Sequence, residues 1–308
     1  MIGKPIFSGH ETFPLRYGWL KKVYDQVVIC AEDSKSIFSR ESAIADFGVG
    51  KNMVNSMRHW ALHVGMLEID AEGQIKNSRI ADMFLSDGNG LDPWFEFDTS
   101  IWLVHWALAN QKNLVTYYWL FNKNNKPELE RDTFARSIRL YLDEMGLKHP
   151  SDSTLKRDIE CFIRNYTHRK SGKAHTITEE SVEGPLAELG LISRIENDAI
   201  ELVRGAKPNL SIEAFLYFLV QFWHSAYSSS STLSLEAVTY DEGSPGRIFL
   251  LDENAIIEYA ERIKDYDSGL EWSETAGVRQ FSIKKTLSEL TSEAEKILKN
   301  SYLKRADT

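Results

Sequence analysis

A histidine, a carboxylate and a hydroxyl stand side by side in Gly9-His10-Glu11-Thr12, a stretch with neither helical nor strand periodicity. Arg16 follows one helical turn after Thr12. An imidazole can carry a proton, a carboxylate can orient it or hold a cation, and a guanidinium can grip a phosphate. On a catalytic reading His10 is the proton carrier, Glu11 its orienting or metal-binding carboxylate, and Arg16 the phosphate grip. The same residues also suit a structural duty, with Thr12 capping the next helix and His10 hydrogen-bonded internally. Composition alone favours that duty.

Three other clusters invite chemistry. Asp92, Glu96 and Asp98 gather ahead of an apolar helix, where carboxylates can hold Mg²⁺ for phosphodiester cleavage. Acids are also stabilised at helix N-termini by the helix dipole, which is the simpler explanation. His59 and His63 are spaced i, i+4, a geometry able to share a metal, but no third ligand or intervening glutamate accompanies them, so no metal site is assigned. Ala45–Asn52 superficially resembles a phosphate-binding loop. It lacks the first glycine at Ala45 and the Ser/Thr at Asn52, and its glycines are explained by a helix-turn-helix bend.

The elements that would position these groups read as mainly α, built of tandem winged helix-turn-helix units with short β-hairpin wings plus a C-terminal helical region. In the first unit Ser39 caps a helix Arg40–Phe47, Gly48-Val49-Gly50 turns, and Lys51 opens a second helix through Val64. Met53, Val54, Met57, Trp60, Ala61 and Val64 recur at helical spacing and form its buried face. Lys51, Asn52, Asn55, Arg58 and His59 are left available. Gly65 suits a left-handed cap, and residues 66–69 and 74–76 form a small hairpin. That order is the one used by major-groove readers, although winged helices also dock proteins.

The second unit runs from helix Phe134–Met145 through a turn at Gly146–Ser151 to a helix Thr154–Tyr166 capped by Ser153. Leu155, Ile159, Phe162 and Ile163 are its buried positions. Ser153, Thr154, Lys156, Arg157, Arg164 and Asn165 remain available. Ile192–Ile195 and Ala199–Val203 pair as the second wing, after a Gly190 punctuation that repeats the grammar around Gly65. Elsewhere helices are expected over Leu15–Val28, Thr99–Ala109, Val115–Phe121, Ile212–Ala226, Glu253–Ile263 and Ile283–Tyr302, with a strand at Ile248–Leu251. Domains fall at 1–125, 126–207 and 208–308.

Bulk properties bound the partners. The 308 residues are 43% hydrophobic and 11% aromatic, enough for real cores. Cys30 and Cys161 are far apart, which gives neither a zinc ribbon nor a disulfide framework and fits a reducing compartment. The N-terminus shows no cationic stretch ahead of an apolar run. Ala214–Trp223, the most apolar stretch, is interrupted by Gln221 and too short to span a bilayer, so a cytoplasmic protein with no membrane partner is expected. The net charge of −9 argues against indiscriminate polyanion binding. From Arg131 to Lys173, however, ten Lys/Arg face six Asp/Glu, with His149, His168 and His175 nearby. A basic middle on an acidic body suggests selective docking.

Several segments carry a resemblance to a known family. They are Phe7-Ser8-Gly9-His10-Glu11-Thr12-Phe13-Pro14-Leu15-Arg16, Leu91-Asp92-Pro93, Ile101-Trp102-Leu103-Val104-His105-Trp106, Ser153-Thr154-Leu155-Lys156-Arg157-Asp158, Pro185-Leu186-Ala187-Glu188-Leu189-Gly190-Leu191-Ile192 and Ser244-Pro245-Gly246-Arg247-Ile248-Phe249. In this order they resemble the SspB-type proteins, long classed as a domain of unknown function, whose genes neighbour those of PAPS-reductase-like enzymes in DNA phosphorothioation defence systems. The resemblance implies work on DNA beside a cysteine desulfurase and an ATP-using sulfur-transfer enzyme, with DNA binding and strand nicking as the family's role. Mg²⁺ or Mn²⁺ is the expected cofactor for a nickase, and none otherwise. The alternatives are a non-catalytic DNA-binding adaptor or transcription regulator that recruits the sulfur-transfer enzyme, and a protein-interaction module that never touches DNA. No family pattern for the nick carries over onto these residues. On the binding readings, Lys51, Arg58, Lys156, Arg157 and Arg164 would contact phosphates, and Asn52, Asn55 or Ser153 would address base edges.

Overall fold

Serine caps and left-handed glycines set most of the element boundaries. In the computed structural model, Ser78, Ser151, Ser211, Ser234, Ser244 and Asp252 each accept a hydrogen bond from the backbone three residues on, at the start of a helix. Gly48, at φ 66°, closes one helix in a conformation that a side chain would oppose. The structure describes residues 3–30, 34–168, 184–196, 198–266, 268–275 and 277–306. Arg169, Lys170, Lys173 and His175 of the basic stretch lie outside them.

About half of the chain is helical, and three small antiparallel sheets accompany the helices, so the fold is mixed α and β rather than mainly α. The chain divides into two compact units, residues 1–120 with 126–202 and residues 121–125 with 203–308.

The first unit begins with α1 (Trp19–Ile29), α2 (Ala43–Phe47) and α3 (Lys51–His63), followed by β1 (Leu67–Ile69) and β2 (Ile75–Asn77). The two strands pair from Leu67↔Asn77 to Ile69↔Ile75, as the hairpin expectation required. α2 starts at Ala43, not Arg40, and its N-cap is Ser42, because the backbone of 36–42 is taken up by turns. α4 (Arg79–Leu85), α5 (Asp98–Asn110), α6 (Val115–Asn122), β3 (Glu128–Glu130), α7 (Arg131–Glu144) and α8 (Asp152–Tyr166) follow. A 3₁₀ turn, Pro185–Leu189, precedes β4 (Ile192–Arg194) and β5 (Ala199–Leu202), and β3 joins their hairpin in the order β3-β5-β4. The third strand was not foreseen, since three residues carry too little pattern to read. The core of this unit centres on Trp60, Trp102, Phe134, Phe162 and Tyr166, all fully buried.

The second unit contains α9 (Ile212–Ala226), β6 (Thr232–Ser234), α10 (Leu235–Tyr240), α11 (Pro245–Ile248), α12 (Glu253–Ile263), β7 (Leu270–Thr275), β8 (Val278–Ile283) and α13 (Leu287–Ala306). Its sheet, β6-β8-β7, was not part of the expected C-terminal helical region. Two elements change type or bounds. Ile248–Leu251 is not a strand: Ser244 caps a helical turn with Pro245 at its start, and the fully buried apolar run fits either geometry. Ile283 pairs with Leu270 in the sheet, so α13 starts only at Leu287. Phe215, Phe218, Phe222 and Trp223 of α9 are buried in this unit's core.

Candidate nucleic-acid interface

The helical periodicity of α3 turns Val54, Met57, Trp60 and Ala61 inward and leaves Lys51, Asn52 and Arg58 exposed, with Asn55 half-buried. On α8, Leu155, Ile159, Phe162 and Ile163 face the core. Ser153, Lys156 and Arg157 are exposed, while Thr154 and Arg164 are half-buried. The N-cap of α8 is Ser151, whose hydroxyl accepts from the Thr154 amide (3.2 Å), so the cap lies two residues before the expected Ser153. Asn165 is not available to a ligand. It is fully buried, accepting from the Leu15 amide (2.9 Å) and donating to the Tyr117 hydroxyl (2.7 Å).

His59 also departs from the exposed face, with only 8% of its surface open. Its ring packs edge-on against Trp60 (4.9 Å), His63 (4.5 Å) and His10 (5.7 Å). Burial, reinforced by His63 and His10, pushes its pKa down to about 2, so the imidazole is neutral and offers a phosphate no charge. His63 Nδ1 lies 3.0 Å from Gln111 Oε1, which assigns its proton to that nitrogen.

The Gly9–Arg16 segment is held between these two helices. His10 Nδ1 accepts from the Thr12 amide (3.0 Å), which places its proton on Nε2, and Nε2 donates to Asp158 Oδ1 (3.0 Å). The Thr116 hydroxyl donates to the other oxygen of Asp158. All three side chains are buried. From α3, Ser56 Oγ (3.3 Å) and Trp60 Nε1 (3.0 Å) both donate to the Phe13 carbonyl. From α8, Arg164 donates to the Thr12 carbonyl (3.1 Å). Gly9 must be glycine: its φ is 103°, and a Cβ there would stand 2.8 Å from His59 Nδ1.

This clamp forces Glu11 (φ 47°) and Thr12 (φ 66°) into the left-handed region, a conformation that costs non-glycine residues about 1–3 kcal/mol each. Both side chains are thereby exposed. Thr12 does not cap a helix, because α1 begins only at Trp19, after a left-handed Gly18. A hollow of about 120 Å³ lies over the loop, bounded by Ser8, His10, Glu11, Thr12, Thr154 and Arg157 among others. Sequence-distant candidates thus meet at one place. Arg16 does not join them. It is 7% exposed, with its guanidinium 5.5 Å from the Phe13 ring and 5.3 Å from Trp19.

Sequence similarity covers this clamp and nearly everything after it. The sequence model of the DUF4007 family, described as a protein of unknown function, matches residues 7–302. The chain belongs to the DUF4007 family. Two solved structures share its fold, one described as a magnesium ion-bound SspB crystal structure (TM-score 0.80) and one as an SspB crystal structure (TM-score 0.81). Each is 24% identical, and the alignment covers 96% of this chain and 87% of the other. No curated protein matches the sequence. The resemblance drawn from the motifs is upheld at the level of family and fold.

Sequence reasoning missed two features of this DUF4007 protein. One is Asp158, the carboxylate that orients His10 from 148 residues away. The other is a cleft of about 610 Å³ lined by Arg131, Glu160, Arg194 and Asp198. There Arg131 pairs with Glu160 and with Asp198 (2.8 Å), and Arg194 donates to Thr167 (2.9 Å). Carboxylates already answer the cations, so the cleft offers an anion little net charge. Of the acidic group before α5, buried Asp92 pins the loop, accepting from the Glu96 (2.8 Å) and Phe97 (3.0 Å) amides and the Ser100 hydroxyl (2.5 Å). Among the described residues no group of three or more His, Cys, Asp or Glu is arranged to hold a metal ion. No described helix is long and apolar enough to cross a membrane.

Proposed function

We propose that this protein is a DNA-binding component of a bacterial DNA phosphorothioation system, working in the cytoplasm beside a PAPS-reductase-like sulfur-transfer enzyme. The observation that carries the reading is the convergence of α3 and α8 on one loop. Each helix follows a shorter or antecedent helix and a turn, each precedes a small hairpin, and the loop braces both at its Thr12 and Phe13 carbonyls. We read α2–α3–β1–β2 and α7–α8–β4–β5 as two winged helices. Lys51, Arg58, Lys156 and Arg157 contact phosphates on this reading, and Asn52, Asn55, Ser153 or Thr154 address bases. The likeness to SspB folds supports the assignment to such a system.

Fluorescence-anisotropy titration of duplex DNA tests it. Lys156→Glu with Arg157→Glu should weaken binding at least about tenfold at roughly 100 mM salt, since each lost phosphate partner removes its share of counterion release. Unchanged affinity would favour a module that binds only protein.

A second reading, strand nicking, draws on the buried Asp158–His10 pair beneath a hollow lined by hydroxyls, Glu11 and Arg157. For His10 Nδ1 to take a proton from a nucleophile, the Thr12 amide must first leave it. A divalent ion held by one or two carboxylates and phosphate oxygens needs no ready-made cage, and among the described residues no closed metal centre is built. Incubating supercoiled plasmid with Mg²⁺ or Mn²⁺, with and without His10→Ala, decides between nickase and binding-only adaptor. Equal conversion to open circle by wild type and variant makes the loop structural.

A further inference from the structure

Trp94 is 57% exposed, and among the described residues no other tryptophan is exposed. Its place is enforced. Pro93 precedes it, Phe95 is buried and left-handed (φ 57°), and Asp92 pins the amides of Glu96 and Phe97. Lys21 Nζ lies 6.0 Å from the indole centroid. That ammonium is already committed to Asp25 and, at 2.7 Å, to Asp87. Asp87 is 88% exposed, and Glu96 is exposed two residues along the loop. The open indole therefore stands on a pinned loop beside an ammonium that two carboxylates already neutralise, with the Glu96 carboxylate two residues along. The patch is built by α1, the end of α4 and the loop before α5, not by the helices that carry the proposed phosphate contacts.

Rigid aromatic side chains lose little ordering entropy when they enter a pocket, which makes them effective interface anchors. Nucleic acid is disfavoured here because its phosphates would face the carboxylates. We propose that Trp94 and its carboxylate surround form a docking point for a protein that presents an apolar slot rimmed by lysine or arginine. The choice of probe rests on the functional reading above: the sulfur-transfer enzyme of the same system.

Calorimetric titration of that enzyme into wild type, Trp94→Ala and Glu96→Lys chains tests the docking point, with duplex DNA titrated in parallel. Both variants should weaken enzyme binding at least about tenfold, as truncation of an interface anchor does, and leave DNA affinity within about twofold. Enzyme binding unchanged in Trp94→Ala overturns the docking point while the wider reading stands. A wild type that binds DNA but not the enzyme removes both the partner and the docking point. If Trp94→Ala instead dissolves a self-association seen by sedimentation, or lowers DNA affinity, the occupant is a second copy or nucleic acid, and the proposal is overturned.

Discussion

His10 commits both ring nitrogens to the fold, so its first consequence is energetic. Truncating Asp158 to alanine leaves the His10 Nε2–H and the Thr116 hydroxyl without their acceptor inside the core. Losing hydrogen bonds to a buried carboxylate costs about 1.5–3 kcal/mol each, so urea denaturation should show Asp158→Ala destabilised by at least about 2 kcal/mol. His10→Ala in that background should add much less than it does alone, because the two share one network. His59 makes a second prediction. Its folded pKa lies below the unfolded value of 6.5, so the unfolded chain takes up a proton that the native state refuses. Stability is then unaffected by this group above pH 6.5 and falls as the pH drops from there toward 2. Between about pH 7.5 and pH 5 the loss is about 2 kcal/mol, and denaturation of His59→Leu should lack it. The sequence showed His10, Glu11 and Thr12 as a cluster because they are contiguous. It could not show that Arg16 is buried between two rings, or that Asp158 is the partner, because those facts depend on tertiary packing.

At the scale of elements, α3 and α8 were legible because apolar residues at helical spacing survive in any context. Their flanks were not. His59 and Asn165 lie where a lone helix would meet water, but the 7–16 loop covers that side of both helices. The start of α8 gives a direct check. Ser151 supplies the capping oxygen, so Ser151→Ala should cost about 1 kcal/mol. Ser153→Ala should cost only a few tenths, and thermal melts of the two variants will rank them. The hairpins β1–β2 and β4–β5 were visible from glycine punctuation, whereas β3 and β6 depend on partners remote in sequence, and the local hairpin β7–β8 was missed. Arg247 in the second unit shows the same limit. Buried, it donates to the Asn122 and Asn124 carbonyls and to the Asn125 side chain (2.8 Å), fastening residues 121–125 to a helical turn far along the chain. Nothing local in the sequence announces that tie.

Across the whole molecule, the proposed reading sets a net charge of −9 against binding to a polyanion. Lys51, Arg58, Lys156 and Arg157 stand exposed on α3 and α8, while Arg131 and Arg194 are absorbed in ion pairs. Binding should therefore be selective in orientation and strongly dependent on salt. The most direct measurement is the affinity for a duplex oligonucleotide across roughly 50–300 mM salt, for wild type and for Lys51→Glu/Arg58→Glu/Lys156→Glu/Arg157→Glu. If the four side chains neutralise phosphates, the wild type's log–log slope will exceed the variant's by about 0.9 per phosphate, roughly 3–4 in total, and the variant's affinity will collapse toward background. Equal slopes and equal affinities for the two proteins would show that these helices do not face DNA.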